Sequence, residues 1–292
     1  MKVAVILLNY NSSADCRKCV SFLKQQEHVE TELILVDNCS KEEDLFALRA
    51  LATEQRCTLI ENRVNRGYNA GNNIGLRYAA KQGYEYALIA NPDMEFPQRD
   101  YVSRLISKMN EDENLVIVAS DIIGLDGVHQ NPMFRDGDWH GCFGWLTGLF
   151  KKHKKTEAYD FIEGFKDSHY CSKVNGCCFL VKMDFILEIG FFDEKVFLYC
   201  EEAILSRQVE SARKKMYYIS DAQAVHAHVK SDKGNPVKRF KHWKRSRIYF
   251  IKQYSGDSWV GKQIACLSMR MYVLAFTIVY RLKRIRTKRN DR

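Results

Sequence analysis

The first hundred residues alternate short apolar runs with amphipathic stretches. Each run has the length of a buried strand and stops at polar or turn-forming residues, whereas the stretches between repeat their apolar positions at helical spacing. The predicted elements are strands at Lys2–Leu8, Glu32–Val36, Cys57–Glu61 and Tyr86–Ala90, and helices at Ser13–Gln26, Glu42–Gln55 and Asn69–Gln82. This alternation predicts an α/β fold with a parallel central sheet, joined by right-handed crossovers.

The pattern continues for one more helix and strand and then weakens. A helix is predicted at Arg99–Asn110 and a strand at Leu115–Ser120, but Gly124–Lys173 has no clear period. A stretch of this length without a pattern is typical of a functional loop or of a partly mobile segment. The pattern returns with a strand at Cys177–Lys182 and a short helix at Met183–Ile189, which the following glycine would end.

The C-terminal region carries an apolar helix face that leads into a basic end. Apolar residues recur at helical spacing, at Ile264, Leu267, Met271, Leu274, Ile278, Leu282 and Ile285. The uninterrupted run Met271–Tyr280 would cover only about half of a ~30 Å hydrocarbon core. From Arg281 to Arg292, seven Arg or Lys accompany one Asp. We therefore expect an interfacial helix with a polybasic end, or else a helix packed on the rest of the chain, rather than a membrane span.

Composition narrows the class of protein. A chain of 292 residues with 46% hydrophobic residues and four prolines is expected to fold. Its ten cysteines have no framework spacing, which favours reduced thiols in the cytosol, and the N-terminal apolar run is interpreted as a first strand rather than a signal peptide. The net charge of +9 suits nucleic acid, membrane or phosphorylated substrates. Because no nucleic-acid-binding signature accompanies it, we favour an anionic membrane surface and a diphosphate substrate.

The clearest candidate for chemistry follows the strand at Tyr86–Ala90. There the chain reads Asn-Pro-Asp-Met-Glu, so that Asp93 and Glu95 lie two residues apart at the carboxyl edge of the sheet. Ligands bind at this edge in open α/β sheets. Carboxylate oxygens suit Mg²⁺ or Mn²⁺ that is shared with substrate phosphates, although a polar turn after a core strand would look the same.

Three further polar segments follow the other strands. Asn9 and Asn11 end the first strand, Asp37-Asn38 ends the second, and the Gly- and Asn-rich segment Asn65–Asn73 follows the third. Glycines there would let the backbone approach a ligand, and a helix N-terminus offers free N–H groups to phosphate. The glycines are four residues apart, so the segment is neither a dinucleotide fingerprint nor a P-loop.

The order of these motifs resembles family-two glycosyltransferases, nearest to the bacterial rhamnosyltransferase-like enzymes, over about residues 1–254. The segments that carry the resemblance are Asn9–Asn11, Val36–Ser40, Asn65–Asn73, Asn91–Asp93, Asn175-Gly176, Gly190–Glu194, Phe197–Glu202 and Val225-His226. The resemblance implies a GT-A fold, with a mostly parallel central sheet, helices on both faces and a C-terminal helical extension. It also implies a nucleotide-diphosphate sugar donor, a divalent metal and inversion at the anomeric carbon.

The resemblance also implies roles for individual residues. The nucleotide-binding set is Asn9, Asn11, Asp37, Asn38, Arg66, Gly67, Asn69, Gly71 and Asn72. Asp93 matches the metal-binding element, and His226 matches a late histidine that holds metal or diphosphate. His228 competes with His226 for that role, and a buried structural histidine is the plainer alternative.

Glu201-Glu202 matches the acidic pair that supplies the general base, with Glu202 preferred over Glu201; a solvated helix start is the alternative. The family usually has Glu-Asp at this point and another Asp two residues on, whereas this chain has Glu202 and Ile204. The longer side chain at 202 moves the carboxylate by about 1 Å, which would cost rate if the backbone does not compensate.

The expected protein is a cytoplasmic, metal-assisted inverting glycosyltransferase, bound peripherally to the inner face of the cell membrane. The donor would be dTDP- or UDP-linked, and the acceptor a polysaccharide or glycolipid precursor. The expected division is a catalytic domain at 1–255, with a nucleotide-binding half (1–120) and an acceptor half (121–255), and a basic tail at 256–292. The alternatives are a catalytically weakened family member that binds donor, and a non-enzymatic basic protein of the membrane surface.

Overall fold

The computed structural model describes residues 2–137, 139–146, 164–228 and 236–290. The N-terminal elements are β1 (Lys2–Asn9), α1 (Ser13–Leu23), β2 (Glu30–Asn38), α2 (Glu42–Gln55), β3 (Thr58–Asn62), α3 (Tyr68–Lys81), β4 (Tyr86–Ala90), β5 (Met94–Glu95) and α4 (Tyr101–Met109). The C-terminal elements are β6 (Leu115–Gly124), a 3₁₀ turn (Trp139–Gly141), β7 (His169–Cys171), β8 (Cys178–Lys182), α5 (Met183–Glu188), α6 (Glu201–Ser211), β9 (Lys215–His226), α7 (Pro236–Gln253) and α8 (Trp259–Asn290).

One nine-stranded sheet organises the chain, in the order β3-β2-β1-β4-β8-β6-β9-β5, with β7 also paired to β9. The first four strands are parallel, as the alternating pattern predicts. β8 runs antiparallel to β4 and to β6, and β5 and β7 run antiparallel to β9. The prediction of a parallel sheet therefore holds for the N-terminal half, and the C-terminal half is mixed.

The alternation of side chains along β1 explains the layers. Val3, Val5 and Leu7 belong to the apolar cluster that includes residues of α1, α2 and α4. Ala4 and Ile6 belong to the cluster on the other face, which includes residues of α3, α5 and α6. Successive side chains of a strand point to opposite faces, so a fully apolar strand is covered on both sides. Helices on both faces of the sheet are thus confirmed.

The two C-terminal helices pack on each other and on the sheet domain. A third apolar cluster joins Ile204 of α6 to Phe250 and Ile251 of α7 and to Ala265 and Cys266 of α8. The alternative of a helix packed on the rest of the chain therefore holds for the inner face of α8. The predicted division at residue 255 does not coincide with a gap in packing, because residues on both sides of it share this cluster.

The sequence pattern missed several C-terminal elements and misplaced the ends of α1 and β6. It did not predict β9 or α7, it ended α1 three residues late, and it stopped β6 at Ser120 although the strand continues to Gly124. Within the segment from 124 to 173 the structure has a 3₁₀ turn and β7, while residues 147–163 lie outside the described part of the chain.

The length of α8 corrects the argument about membrane crossing. The stretch Trp259–Arg281 is long enough and apolar enough to span a bilayer by length and composition. The run Met271–Tyr280, on which the sequence argument relied, is only a part of this stretch. Core helices of soluble proteins meet the same criterion, and α8 buries Ala265, Cys266 and Val273. Its opposite face exposes apolar side chains, as described below.

Candidate active site

The ends of β1 and β2 meet in a polar cluster at the carboxyl edge of the sheet. Asn9 is in register with Asp37, and its Nδ2 donates to Asp37 Oδ1 at 3.0 Å. The same amide lies 2.7 Å from Asp44 Oδ2 on α2, and Asp37 Oδ2 accepts the Ser40 N–H at 3.1 Å. Asp37 is fully buried and already bonded, so it orders the loops around the predicted nucleotide pocket in this conformation.

Asp44 is a member of this cluster that the sequence did not single out. Its Oδ1 accepts the Ser13 N–H at the start of α1 at 2.9 Å. Burial would raise the pKa of Asp44, but the hydrogen bonds from Asn9, Ser13 and Ser40 outweigh it, so the pKa lies below its ordinary value. The only sequence signal was an acidic residue in the first turn of α2, which helix dipoles favour anyway.

Asn11 and Asn38 tie neighbouring loops together. Asn11 has a left-handed backbone with φ of 57°, and its Oδ1 accepts the Lys41 N–H at 2.8 Å. Asn38 is buried, and its Nδ2 donates to Asn65 Oδ1 at 3.1 Å and to the Gly67 carbonyl at 3.3 Å. The structure thus brings the three predicted strand-end segments next to one another.

The start of α3 contacts protein where the sequence argument expected a ligand. Gly67 has a φ of 102°, and a Cβ there would overlap the carbonyl of Phe197. The Tyr68 N–H donates to that carbonyl at 3.0 Å, and Asn69 Nδ2 donates to the Asp193 carbonyl at 2.8 Å. The carbonyl of Phe197, in the segment that leads into α6, is thus one reason for glycine at 67, and close approach of a ligand there stays a prediction.

The remaining predicted residues of this loop differ in exposure. Gly71 packs on the side chain of Leu8, which again accounts for a glycine without a ligand. Arg66 is exposed and pairs with Glu194 at 3.4 Å. Asn72 is fully buried, and its Oδ1 has no hydrogen-bond partner among the described residues.

Strand pairing brings Asp93 to the two late histidines. β5 pairs with β9 so that Met94 lies opposite His226, and Asp93 immediately precedes that pair. Asp93 Oδ1 is 3.3 Å from His226 Nε2, and Asp93 Oδ2 is 3.0 Å from His228 Nδ1. One ligand atom from each of the three residues lies within 4.8 Å of the others, a donor set that suits a divalent cation.

The hydrogen bonding of His226 fits a metal ligand. Its Nδ1 is 2.8 Å from Gln130 Oε1, which can only accept, so Nδ1 carries the proton and Nε2 presents a lone pair. Nε2 is buried and has no hydrogen-bond partner in the described part of the chain. A second hydrogen bond that fixes the tautomer is the usual setting of a ligating histidine. His228, which the sequence left as a competitor, lies in the same group.

Asp93 keeps its charge in this setting. Burial would raise its pKa, but the nearness of His226 and His228 outweighs that effect and holds the pKa of Asp93 below its ordinary value. Glu95 instead pairs with Lys18 at 2.6 Å and is not a member of this group.

Glu201 and Glu202 begin α6 on a strained backbone. Tyr199 and Cys200 immediately before them have φ of 75° and 68°, in the left-handed region, which costs roughly 1–2 kcal/mol for each such residue. Strain of this kind clusters at functional sites. Both glutamates line the cavity described below.

The two carboxylates share a low-dielectric environment. Burial raises the pKa of Glu201 to about 7, and the charge of Glu202 adds to the rise. Burial likewise raises the pKa of Glu202, although the N–H of Gly176 bonds to it and opposes the rise. A Cβ at Gly176 would lie 3.2 Å from Glu202 Oε1, so glycine makes room for this carboxylate.

A cavity of about 830 Å³ is lined by Glu201, Glu202 and His226. Its wall includes Asn91, His226, Glu201 and Glu202 on the sheet side, and side chains of α7 and α8 on the other. Asp136, Lys173 and Arg247 also line it, and the sequence did not predict them. Asp136 bonds to Lys173 Nζ at 2.9 Å and to Arg247 at 2.5 Å, so these charges hold α7 against the cavity.

Known proteins share this architecture. Residues 4–185 match the model of glycosyl transferase family 2, and the chain belongs to that family. It is 26% identical over 228 residues to the low-salt glycan biosynthesis hexosyltransferase Agl10 of Haloferax volcanii, covering 77% of this chain and 66% of the length of Agl10. It is 20% identical over 266 residues to the N-acetylglucosaminyl-diphospho-decaprenol L-rhamnosyltransferase of Mycobacterium tuberculosis, covering 86% of this chain and 85% of the relative.

Solved structures agree on the fold. The mannosyltransferase PcManGT of Pyrobaculum calidifontis, in complex with GDP-Man and Mn²⁺, superposes with a TM-score of 0.58 at 16% identity, covering 95% of this chain and 75% of that chain. The predictions of the family, of the GT-A fold and of a glycosyltransferase as the class of protein are confirmed. Such low identity carries the fold and not the details of the site.

Proposed function

We propose that this protein is an inverting glycosyltransferase that moves a sugar from a nucleotide-diphosphate donor to an acceptor hydroxyl. The single observation that carries the proposal is the cavity that contains both the paired glutamates and His226 of the cation site. A direct displacement needs a base on the acceptor side and charge neutralisation on the leaving-group side, and the paired glutamates line one space with His226 of the cation group.

The donor would bind along the carboxyl ends of β1 to β4. Asn9, Asn11 and Asp37 lie at or just after the carboxyl ends of β1 and β2, the position at which α/β sheets bind nucleotides. The mannosyltransferase PcManGT binds GDP-Man with Mn²⁺, which supports a nucleotide sugar and a divalent cation here by analogy of fold. The residues do not select between dTDP, UDP and other bases.

Asp93, His226 and His228 would hold the divalent cation. When bound, such a cation neutralises the developing charge of the nucleoside diphosphate leaving group. The protein's own contribution is to keep Asp93 ionised and to fix His226 in the tautomer with a free Nε2, through Gln130. Mg²⁺ and Mn²⁺ both suit a mixed set of oxygen and nitrogen ligands.

Glu202 would take the proton from the acceptor hydroxyl, with Glu201 as the alternative. Two adjacent buried carboxylates resist holding two negative charges, so near neutral pH the pair binds a proton readily. Ile204, the departure from the family pattern, is fully buried in the cluster that joins α6 to α7 and α8. The change at 204 therefore affects packing, and it gives little support to a catalytically weakened protein.

We further propose that the protein works at the inner face of the cell membrane. Leu267, Met271, Leu274 and Ile278 on the outer face of α8 are 44–62% exposed, and α7 carries seven Lys or Arg and no acidic residue. An exposed apolar row beside a cationic helix suits an anionic lipid surface. The same features would serve the rival non-enzymatic membrane-binding protein, but that rival leaves the cation site and the paired glutamates without a task.

The experiment that tests the proposed function is a thermal-shift screen of nucleoside diphosphates and nucleotide sugars, with Mn²⁺ and with EDTA. We expect a metal-dependent rise in melting temperature for one nucleotide class, followed by slow release of sugar from that donor. Because a ligand at 100 times its Kd stabilises by about 2.7 kcal/mol, the rise should be several degrees. Stabilisation by no nucleotide in either buffer would refute the proposal.

A further inference from the structure

The cavity at Glu201 and Glu202 has an apolar wall that the proposed chemistry does not use. Trp145, Trp243, Met269 and Tyr272 line it, and three of them come from α7 and α8. We refer to these four residues as the aromatic wall. Trp145 and Tyr272 lie with ring centroids 5.4 Å apart, and Trp243 and Tyr272 lie 6.0 Å apart.

The indole N–H of Trp145 in the aromatic wall is already satisfied within the protein. Trp145 Nε1 donates to Ser268 Oγ at 2.9 Å, and Ser268 Oγ donates to the Cys142 carbonyl at 2.6 Å. The wall therefore offers ring faces and methyl groups. An oligosaccharide needs hydrogen-bond partners for its hydroxyls in a buried site, whereas a hydrocarbon chain needs only apolar surface. The chemistry of this wall favours the hydrocarbon.

A row of aromatic rings continues from the wall along α8. Tyr272 lies 5.8 Å from Phe240, Phe240 stacks on Phe276 at 3.8 Å, and Phe276 lies 6.4 Å from Tyr280. All four side chains are partly exposed. The row therefore runs from the cavity toward Arg281 over two further turns of helix, where the basic end begins.

The row ends beside the surface that suits a membrane. Leu274 and Ile278 are 62% and 50% exposed on the outer face of the same helix. An amphiphile anchored in a bilayer at this face would have a continuous apolar path to the cavity. Its polar head would then arrive at the two glutamates.

We propose that the aromatic wall and the row Phe240, Phe276 and Tyr280 bind the hydrocarbon chain of a lipid-linked acceptor. The proposal rests on the proposed function, and it specifies that the acceptor is an amphiphile rather than a free polysaccharide. The chain would dock between α7 and α8, which makes the C-terminal hairpin a part of the acceptor site. This explains why residues beyond 255 line a cavity that contains the proposed base.

The test uses neutral alkyl glucosides as probes, below their micelle concentrations. The affinities of butyl, hexyl and octyl β-glucoside for the full chain are measured by titration calorimetry and by tryptophan fluorescence. We expect the affinity to rise by up to about fourfold for each added methylene, as for burial of hydrocarbon. A neutral head avoids unspecific attraction to the net charge of +9.

Two variants change the wall in opposite ways, and one variant serves as the control. Trp243→Ala removes a ring and Met269→Trp fills the space, so both should flatten the dependence on chain length. Trp259→Ala removes a tryptophan of α8 that is 75% exposed and outside the cavity wall, and it should keep the dependence. Circular dichroism of each variant reports folding, and nucleoside diphosphate binding tests the proposed function separately.

The outcomes separate cleanly. Equal affinity of the three glucosides for the wild type, or equal slopes for the wild type and both wall variants, would overturn the proposal even if nucleotides bind. A dependence of affinity on chain length that only the wall variants lose would support this proposal even if no nucleotide binds. In that case only the proposed function would be refuted. Comparing geranyl glucoside with octyl glucoside identifies the source, since tighter geranyl binding indicates an isoprenoid chain and tighter octyl binding an acyl chain.

Discussion

His226 Nε2 lies 3.3 Å from Asp93 Oδ1 with no hydrogen bond between them. Because Nδ1 donates to Gln130, the neutral form of His226 presents the lone pair of Nε2 to an ionised carboxylate. Two acceptors at this distance repel unless a cation or a second proton lies between them. His228 Nδ1 approaches the other oxygen of Asp93 at 3.0 Å, so the three residues define one place for positive charge.

The first prediction follows from this arrangement. Asp93→Asn should abolish the dependence of nucleoside diphosphate binding on Mn²⁺, because the amide removes the only anionic ligand of the group. Titration calorimetry with Mn²⁺ and with EDTA measures the change, and we expect at least a tenfold loss of affinity in Mn²⁺. Gln130→Ala should keep a measurable metal dependence but lower the metal affinity by about 10–100-fold, since it only releases the tautomer of His226.

Glu95→Gln is the matched control for the metal site. Glu95 lies two residues from Asp93 and pairs with Lys18 at the surface. Its substitution should leave the metal dependence unchanged. A metal dependence that survives in Asp93→Asn would make Asp93 a turn residue.

The second prediction concerns the proposed base. Glu202→Gln should lower kcat by about 10²–10⁴-fold and leave donor affinity intact, because it removes proton acceptance without removing a donor contact. Steady-state transfer and donor titration measure the two effects. Glu210→Gln, on the outer part of the same helix and paired with Arg135 and Arg207, is the control and should retain activity. Near-normal turnover in Glu202→Gln would assign the role to Glu201.

The third prediction uses the pH dependence of stability. The pKa of Glu201 is raised from 4.5 to about 7 in the folded protein, so the folded state binds more protons than the unfolded state between these values. The free energy of unfolding should therefore fall as pH rises through this window, and the loss should be complete above about pH 7. Glu201→Gln should remove roughly 1–3 kcal/mol of that fall. Urea unfolding at pH 5 and pH 8 measures the change.

The comparison in that experiment is internal. The variant should be stabilised relative to the wild type at pH 8 and should differ little from it at pH 5. If the free energies of unfolding of the variant and the wild type changed equally with pH, ionisation of Glu201 would not destabilise the folded state. Denaturant slopes must stay equal for the comparison to report stability alone.

The fourth prediction separates two causes of a glycine requirement. Gly67 and Gly83 both have positive φ, of 102° and 75°, but only at Gly67 would a Cβ meet another atom, the carbonyl of Phe197. Gly83→Ala should cost about 1 kcal/mol from backbone strain. Gly67→Ala should cost more, by roughly 1–3 kcal/mol, because the segment before α6 must also shift. Equal losses of stability for the two variants in thermal unfolding would show that the carbonyl of Phe197 is not the cause of the glycine requirement at 67.

The sequence predicted the N-terminal half of the fold well because its signals are local. Val3–Leu7 and Tyr86–Ala90 are unbroken apolar runs, and the polar residues after each strand necessarily share one edge of a parallel sheet. β9 was not predicted because its twelve residues mix apolar and polar positions and because its pairing with β6 shifts register between Ser120 and Asp121. α7 escaped because seven basic residues obscure its apolar positions.

The site was predictable only where a motif carried it. Asp93 was singled out by its position after a buried strand, His226 and the two glutamates by the resemblance, and His228 was left open. Asp136, Lys173 and Arg247 are distant in sequence and meet only through the packing of α7, so no local pattern could reveal them. Gly67 was noticed for its spacing, but the cause of its conformation, the carbonyl of Phe197, is 130 residues away.

The last prediction concerns the basic end of α8. Replacing the Arg and Lys residues within 281–292 by Gln keeps the length of the helix and removes its charge. Binding to anionic vesicles should weaken strongly, since each basic residue near such a surface contributes about 1 kcal/mol. Binding to neutral vesicles should change little, because the exposed apolar residues Leu274 and Ile278 remain. The double variant Leu274→Ser, Ile278→Ser should instead weaken binding to both anionic and neutral vesicles.

Salt distinguishes the electrostatic part from the apolar part of this interaction. Raising ionic strength should reproduce the effect of the Gln substitutions in the wild type, because the surface field decays over a Debye length of ~8 Å at physiological salt. It should have little further effect on the substituted protein. Donor binding should be equal in all three proteins, since the segments proposed to bind the nucleotide lie in the N-terminal part of the chain. Equal binding of wild type and Gln-substituted protein to anionic vesicles at low salt would rule out a membrane role for the basic end, and the exposed face of α8 would then need a different partner.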